Sequence, residues 1–165
     1  MQLTVRLMAD GLMLPIVLIS MYALLWRIPT QRWYDSYTRI IMAGLTSYAL
    51  AKFVSAVWQP QAERPFEQLG IDAGAAYLNN PGFPSDHMLF ATFLVLAVWY
   101  ATRSRLLTGI LAVLTLLVAI GRVLALVHTP IDVVGGVLFA LIGVVWYNPY
   151  GKKRYQLKIA KKANK

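Results

Sequence analysis

The 165-residue chain contains two histidines, and each lies in a polar cluster beside an apolar stretch. One cluster is Phe83-Pro84-Ser85-Asp86-His87. Pro84 and Ser85 suit a helix start, where unpaired backbone N–H groups and the positive end of the dipole favour an anion such as phosphate. Read more simply, Ser85 or Asp86 is only an N-cap. The second cluster runs from Gly121 to Asp132. Thr129 followed by Pro130 reads as N-cap and first helical residue, which sets Asp132 near the third helical position and about one turn from His128. From there its carboxylate can bond an imidazole N–H and fix the tautomer, or serve only to compensate a helix dipole. The third cluster is Arg64-Pro65-Phe66, with Lys52 further back in an apolar segment.

The elements that must position these groups are apolar. Of the residues, 58% are hydrophobic and 14% charged, none is Cys, and the mean hydropathy is +0.56. This excludes a disordered tail protein and a disulfide-stapled domain, and leaves too little polar surface for a soluble globule of this size. Five hydrophobic segments are visible, roughly Leu7 to Trp26, Ile40 to Trp58, Met88 to Ala101, Leu106 to Ile120 and Ile131 to Tyr147. Several approach the roughly 20 residues that cross about 30 Å of hydrocarbon, and the two short ones can extend at their ends. The first is read as a mature helix rather than a secretory signal, because Asp10 stands where a basic flank is expected and no small-residue cleavage pattern follows. The fold expected is an all-α, polytopic membrane helix bundle. A single transmembrane domain covers residues 1–150, and a basic tail covers 151–165.

Charge placement orients the bundle, because basic residues collect in cytoplasmic loops. With five spans, one face receives Arg27, Arg32, Arg39, Arg103 and Arg105 together with the seven basic residues of the tail, and only one acid, Asp35. The other face receives the N-terminus, the loop from Gln59 to His87, the junction from Arg122 to Thr129 and the remaining six acids. That face is expected to be extracytoplasmic. The Lys-rich tail fits contact with anionic lipid headgroups, worth about 1 kcal/mol per basic residue. No aromatic platform or groove-reading motif accompanies it, so nucleic acid is not expected as a partner.

The same topology puts all three clusters on one face. Two imidazoles, the guanidinium groups of Arg64 and Arg122, and the carboxylate of Asp132 then share a membrane boundary. That is the set of groups needed for phosphoryl transfer through a covalent histidine: a nucleophile, an orienting acid, a second imidazole for the leaving group, and planar cations for the equatorial oxygens. Arginines can neutralise phosphate unaided, so no metal or other cofactor is expected. Zinc held by His87, His128, Asp86 and Asp132 is the competing arrangement, and it lacks a tight ligand-spacing motif.

These residues resemble the type 2 phosphatidic acid phosphatase superfamily of membrane lipid phosphatases, whose signatures are K-x6-R-P, P-S-G-H and S-R-x5-H-x3-D. The chain offers Arg64-Pro65, Pro84-Ser85-Asp86-His87, and Arg122, His128 and Asp132 at the spacing of the third signature. It departs from the pattern in three places. Val57 stands where the family has Lys, with Lys52 twelve residues before Arg64 as the candidate substitute. Gly121 replaces the Ser before Arg122, and Asp86 replaces Gly. Phe83 to His87, Arg64 to Phe66, and His128, Pro130, Asp132, Gly135 and Gly136 look like the bacitracin-resistance branch, the undecaprenyl-diphosphatases. The resemblance implies an acid phosphatase/vanadium haloperoxidase-like core, with six helices usual where five are counted here.

By this resemblance His128 attacks the terminal phosphorus and forms a phosphohistidine, Asp132 orients it, and His87 serves as acid toward the leaving group and then as base toward water. Arg64, Arg122, Ser85, Asp86 and Lys52 are the candidate phosphate-binding residues. The implied substrate is undecaprenyl diphosphate, whose tail stays among the membrane lipids while its headgroup meets the arginines. Phosphatidic acid, phosphatidylglycerol phosphate and lipid A phosphate fit the same chemistry. A membrane transporter or structural subunit that merely binds anions is the non-enzymatic reading, and five helices give no paired halves of the kind many transporters show.

Overall fold

The computed structural model describes residues 2–61, 63–80 and 82–147; the basic tail read from the sequence lies outside the described residues. Among the described residues the fold is all-α, with no strand. Five long helices run α1 (Gln2–Trp26), α2 (Thr30–Val57), α4 (Asp86–Thr102), α5 (Arg105–Leu124) and α6 (Pro130–Tyr147), with a single-turn α3 (Pro65–Gln68) in the loop after α2. Each apolar segment of the sequence became one helix. Four are long and apolar enough to cross a membrane; α4, at 17 residues, spans only about 26 Å. Helix α1 begins well before its apolar run, so Asp10 lies inside it rather than ahead of it.

Helix α4 is the axis of the bundle. Its Met88, Ala91, Leu94 and Val98 form one buried cluster with Ile16 and Ala23 of α1 and Leu111 and Val118 of α5, while Leu89 packs with Ala51 of α2 and Ala140 of α6. Packed against four helices, with only Phe90 and Trp99 exposed along it, α4 meets less lipid than its neighbours, which is compatible with its shorter span. Outward faces carry large apolar side chains such as Leu14, Leu45, Phe53, Val113 and Leu138, all exposed as lipid-facing residues should be. The interior adds small residues to these aliphatic ones: Ser20, Ser36, Ala43 and Ser47 are buried, and Ser47 Oγ donates to Ala140 O at 3.5 Å. Exposed Trp26, Trp33 and Tyr34 ring one end of the bundle, and Trp58 marks the other, as aromatic side chains do at membrane interfaces.

At the Trp58 end the loop after α2 folds back over the α5–α6 junction. Phe66 N–H donates to Leu126 O (3.1 Å), and Gly74 N–H donates to Ala125 O (3.1 Å). The N-terminus of α4 then passes against α6 at Gly136, where an added Cβ would stand 2.6 Å from Ser85 O and 2.9 Å from Leu89 N. A side chain there would force apart the two helix starts that carry His87 and Asp132.

Candidate active site

Thr129 caps α6 as its sequence requires. Its Oγ1 accepts from Asp132 N–H (3.3 Å), and Asp132 Oδ2 accepts in return from Thr129 N–H (2.7 Å), a capping box closed by an aspartate. The same Oδ2 lies 3.6 Å from His128 Nδ1, longer than a hydrogen bond but within ion-pair reach. Asp132 thus caps the helix start and faces the imidazole, with no hydrogen bond between them at this distance. His128 is buried just ahead of the helix, and burial lowers its pKa, with the nearby arginines adding to the effect and Asp132 opposing it. A neutral imidazole at physiological pH is the form a nucleophile needs.

Both arginines are buried, 7% exposed for Arg64 and 1% for Arg122, and both are held by backbone carbonyls. Arg64 Nη1 donates to Val127 O (2.6 Å), next to His128, and Nη2 donates to Asn80 Oδ1 (3.0 Å) and to Asn80 O (3.2 Å). Its guanidinium lies over the Tyr77 ring at 5.5 Å. Burial lowers its pKa from 12.5 while Asp132 and Glu67 oppose that shift, so the group stays cationic. Arg122 Nη1 donates to Ala76 O and to Asp10 Oδ1, each at 2.8 Å, and its Nε is buried without a partner.

Ser85 is fully buried at the start of α4. Its N–H donates to Asp132 O (3.0 Å), tying the two helix starts together, and its Oγ has no partner, so it is not acting as a side-chain cap. Both oxygens of Asp86 accept from Lys52 Nζ, at 2.7 and 2.9 Å, across the α2–α4 contact. Lys52 also sits 5.4 Å from the Tyr48 ring centroid. Val57, at the end of α2, is exposed.

His87, His128, Arg64, Arg122 and Asp86 line one cavity of about 60 Å³, roughly the space of two water molecules. Arg64, Asn80 and Gly82 also line a larger neighbouring cavity of about 360 Å³ that Asp132 borders. Lys52 and Ser85 stand behind the smaller cavity, reaching it through Asp86 and through the backbone. Sequence reasoning missed Asp10, whose carboxylate lies 3.9 Å from His87 Nε2 and bonds Arg122. The available signal was an acid in an apolar segment, which is costly unless it has a task.

The type 2 phosphatidic acid phosphatase (PAP2) superfamily model matches residues 36–156. The chain belongs to the PAP2 superfamily. It is therefore a membrane phosphatase, a hydrolase, and residues of its second and third signatures line one cavity. Over 161 residues the chain is 30% identical to the Escherichia coli (strain K12) protein named "Putative undecaprenyl-diphosphatase YbjG", an alignment covering 90% of this chain and 74% of that relative. No solved structure gives a significant match.

Proposed function

We propose that this PAP2 protein hydrolyses undecaprenyl diphosphate to undecaprenyl phosphate at the extracytoplasmic face of a bacterial inner membrane. The observation that carries the reading is the single small cavity ringed by two imidazoles and two buried guanidinium groups. His128 Nδ1 faces Asp132, so Nε2 is the nitrogen that attacks the terminal phosphorus. An N–P bond forms as the bridging P–O bond breaks, and His87 gives a proton to the departing lipid phosphate. Water then attacks the phosphohistidine, His87 takes its proton, and inorganic phosphate leaves. Arg64 and Arg122 neutralise the equatorial oxygens throughout, from positions that need no reorganisation.

The lipid character of the substrate is supported by an apolar groove of about 560 Å³ between α2 and α4, lined by Ile41, Leu45, Leu89, Phe90 and Phe93. Asp86 borders both the groove and the catalytic cavity, so a chain lying in the groove has its head at the arginines. Arg27, Arg32, Arg39, Arg103 and Arg105 fall at the opposite end of the bundle, which favours an extracytoplasmic site. The name of the Escherichia coli relative favours a diphosphate over the other phosphorylated lipids.

The test is phosphate release by purified protein from undecaprenyl diphosphate, phosphatidic acid, phosphatidylglycerol phosphate and lipid A phosphate. The first should be turned over fastest, with an acid-labile phosphoenzyme mapping to His128. His128→Ala should abolish turnover; unchanged release would reject the assigned nucleophile.

A further inference from the structure

Asp10 lies outside the residues matched by the PAP2 model and belongs to none of its signatures. It is carried by α1, in the π-helical turn Leu7–Gly11, a distortion that tends to mark functional positions in helices. Among the described residues its side-chain contacts lie at the active-site end. Oδ1 accepts from Arg122 Nη1 at 2.8 Å, Oδ2 accepts from Ala76 N–H at 2.8 Å, and Oδ1 stands 3.9 Å from His87 Nε2. The site thus holds two carboxylate–imidazole pairs, Asp132 with His128 and Asp10 with His87, at 3.6 and 3.9 Å.

A second observation concerns Gly121, which replaces the signature serine. A Cβ at Gly121 would stand 2.5 Å from Ala9 N and 2.7 Å from Met8 C, both backbone atoms of the π-helical turn. Serine at this position would drive α1 away from α5. The missing side chain is what lets α1 approach closely enough to deliver Asp10 to Arg122, the residue after Gly121. The bare Gly121 and the Asp10 carboxylate beside Arg122 are therefore structurally coupled.

Resting on the phosphatase reading above, we infer that Asp10 is a positioning residue: it anchors the Arg122 guanidinium and orients His87, so that His87 delivers its proton from Nδ1. With Nε2–H turned toward Asp10, Nδ1–H is the proton given to the leaving oxygen as the P–O bond breaks, and Nδ1 takes a proton back from water when the phosphohistidine is hydrolysed. Arg122 Nε, buried and unpartnered, remains to donate to a phosphoryl oxygen. The carboxylate forms no bond to substrate and exchanges no proton.

The experiment compares leaving groups on the purified full-length protein. p-Nitrophenyl phosphate releases a phenolate that needs no proton, whereas phenyl phosphate, of nearly the same shape, releases one that does. A positioned general acid contributes on the order of 10²–10⁴-fold where protonation is required. Asp10→Asn should therefore lose at least about tenfold more turnover on phenyl phosphate than on p-nitrophenyl phosphate. Gly121→Ala, which keeps both partners but pushes α1 outward, should show the same differential and serves in its place if Asp10→Asn does not fold. An equal fall on both esters would leave Asp10 a structural clamp and overturn the proposal. Wild-type protein that releases phosphate from neither ester nor from undecaprenyl diphosphate would remove the functional reading first, and this one with it.

Discussion

Asp132→Asn separates two tasks that one oxygen performs. Oδ2 accepts from Thr129 N–H at 2.7 Å and lies 3.6 Å from His128 Nδ1. Asparagine keeps the volume and one carbonyl oxygen. That oxygen retains the shorter bond, because an unpaired buried N–H costs about 1–3 kcal/mol. The new amide NH₂ then faces His128, and Nδ1 must turn acceptor. The imidazole proton moves to Nε2, the nitrogen assigned to attack phosphorus, and the nucleophile is blocked. Folding stability should fall by no more than about 1 kcal/mol, since the cap survives. Turnover should fall about 10³–10⁴-fold, the size of effect seen when a histidine-orienting carboxylate elsewhere becomes an amide. That corresponds to about 4–5.5 kcal/mol of transition-state stabilisation. The assay is phosphate release from lipid diphosphate by purified protein, with thermal unfolding measured on the same preparation. Turnover within a few-fold of wild type would refute the tautomer argument, and a large stability loss would place the role of Asp132 in the cap.

Two further outcomes follow from the same geometry. Burial holds the His128 pKa below its ordinary value of 6.5, so the unfolded chain binds this proton more readily than the folded one; stability should hold above pH 6.5 and fall as pH drops below it, as pH-dependent thermal unfolding of the purified protein would show, with His128→Gln removing that share. Gly136→Ala should destabilise by about 1–3 kcal/mol, because its Cβ meets Ser85 O and Leu89 N, backbone atoms that cannot swing aside, and turnover should fall as His87 and Asp132 move apart; a melting temperature equal to wild type would contradict the close approach.

Helix number, helix order and the shared face of the three clusters were legible because each rests on a local property. Apolar length sets a span, Thr129-Pro130-x-Asp132 sets a capped start, and an alternating path returns every second loop to the same end. The spacing of Arg122, His128 and Asp132 is also local, being fixed by one helix end, a five-residue turn and one capping box. Lys52 and Asp86 are both candidate phosphate-binding residues in the sequence, but their pairing with each other across α2 and α4 was not legible there, because it depends on how two helices separated by the long loop are rotated.

Asp10 was the least legible. In the sequence it is an acid near the N-terminus, remote by more than 100 residues from the arginine it holds. Nothing in its neighbours specifies a partner, because hydropathy determines that a helix crosses but not which of its faces meets which neighbour. That choice is made by close packing: Gly121 lacks a Cβ that would meet the α1 backbone, Gly136 does the same between α4 and α6, and the buried arginines then find the carbonyls and carboxylates left at the end of the bundle. The sequence by itself determined the span of each helix and the chemical groups available, since both are written in short stretches of chain. Only the tertiary structure decided which acid serves which base, since contact between helices distant in sequence depends on side-chain volume summed over the whole bundle.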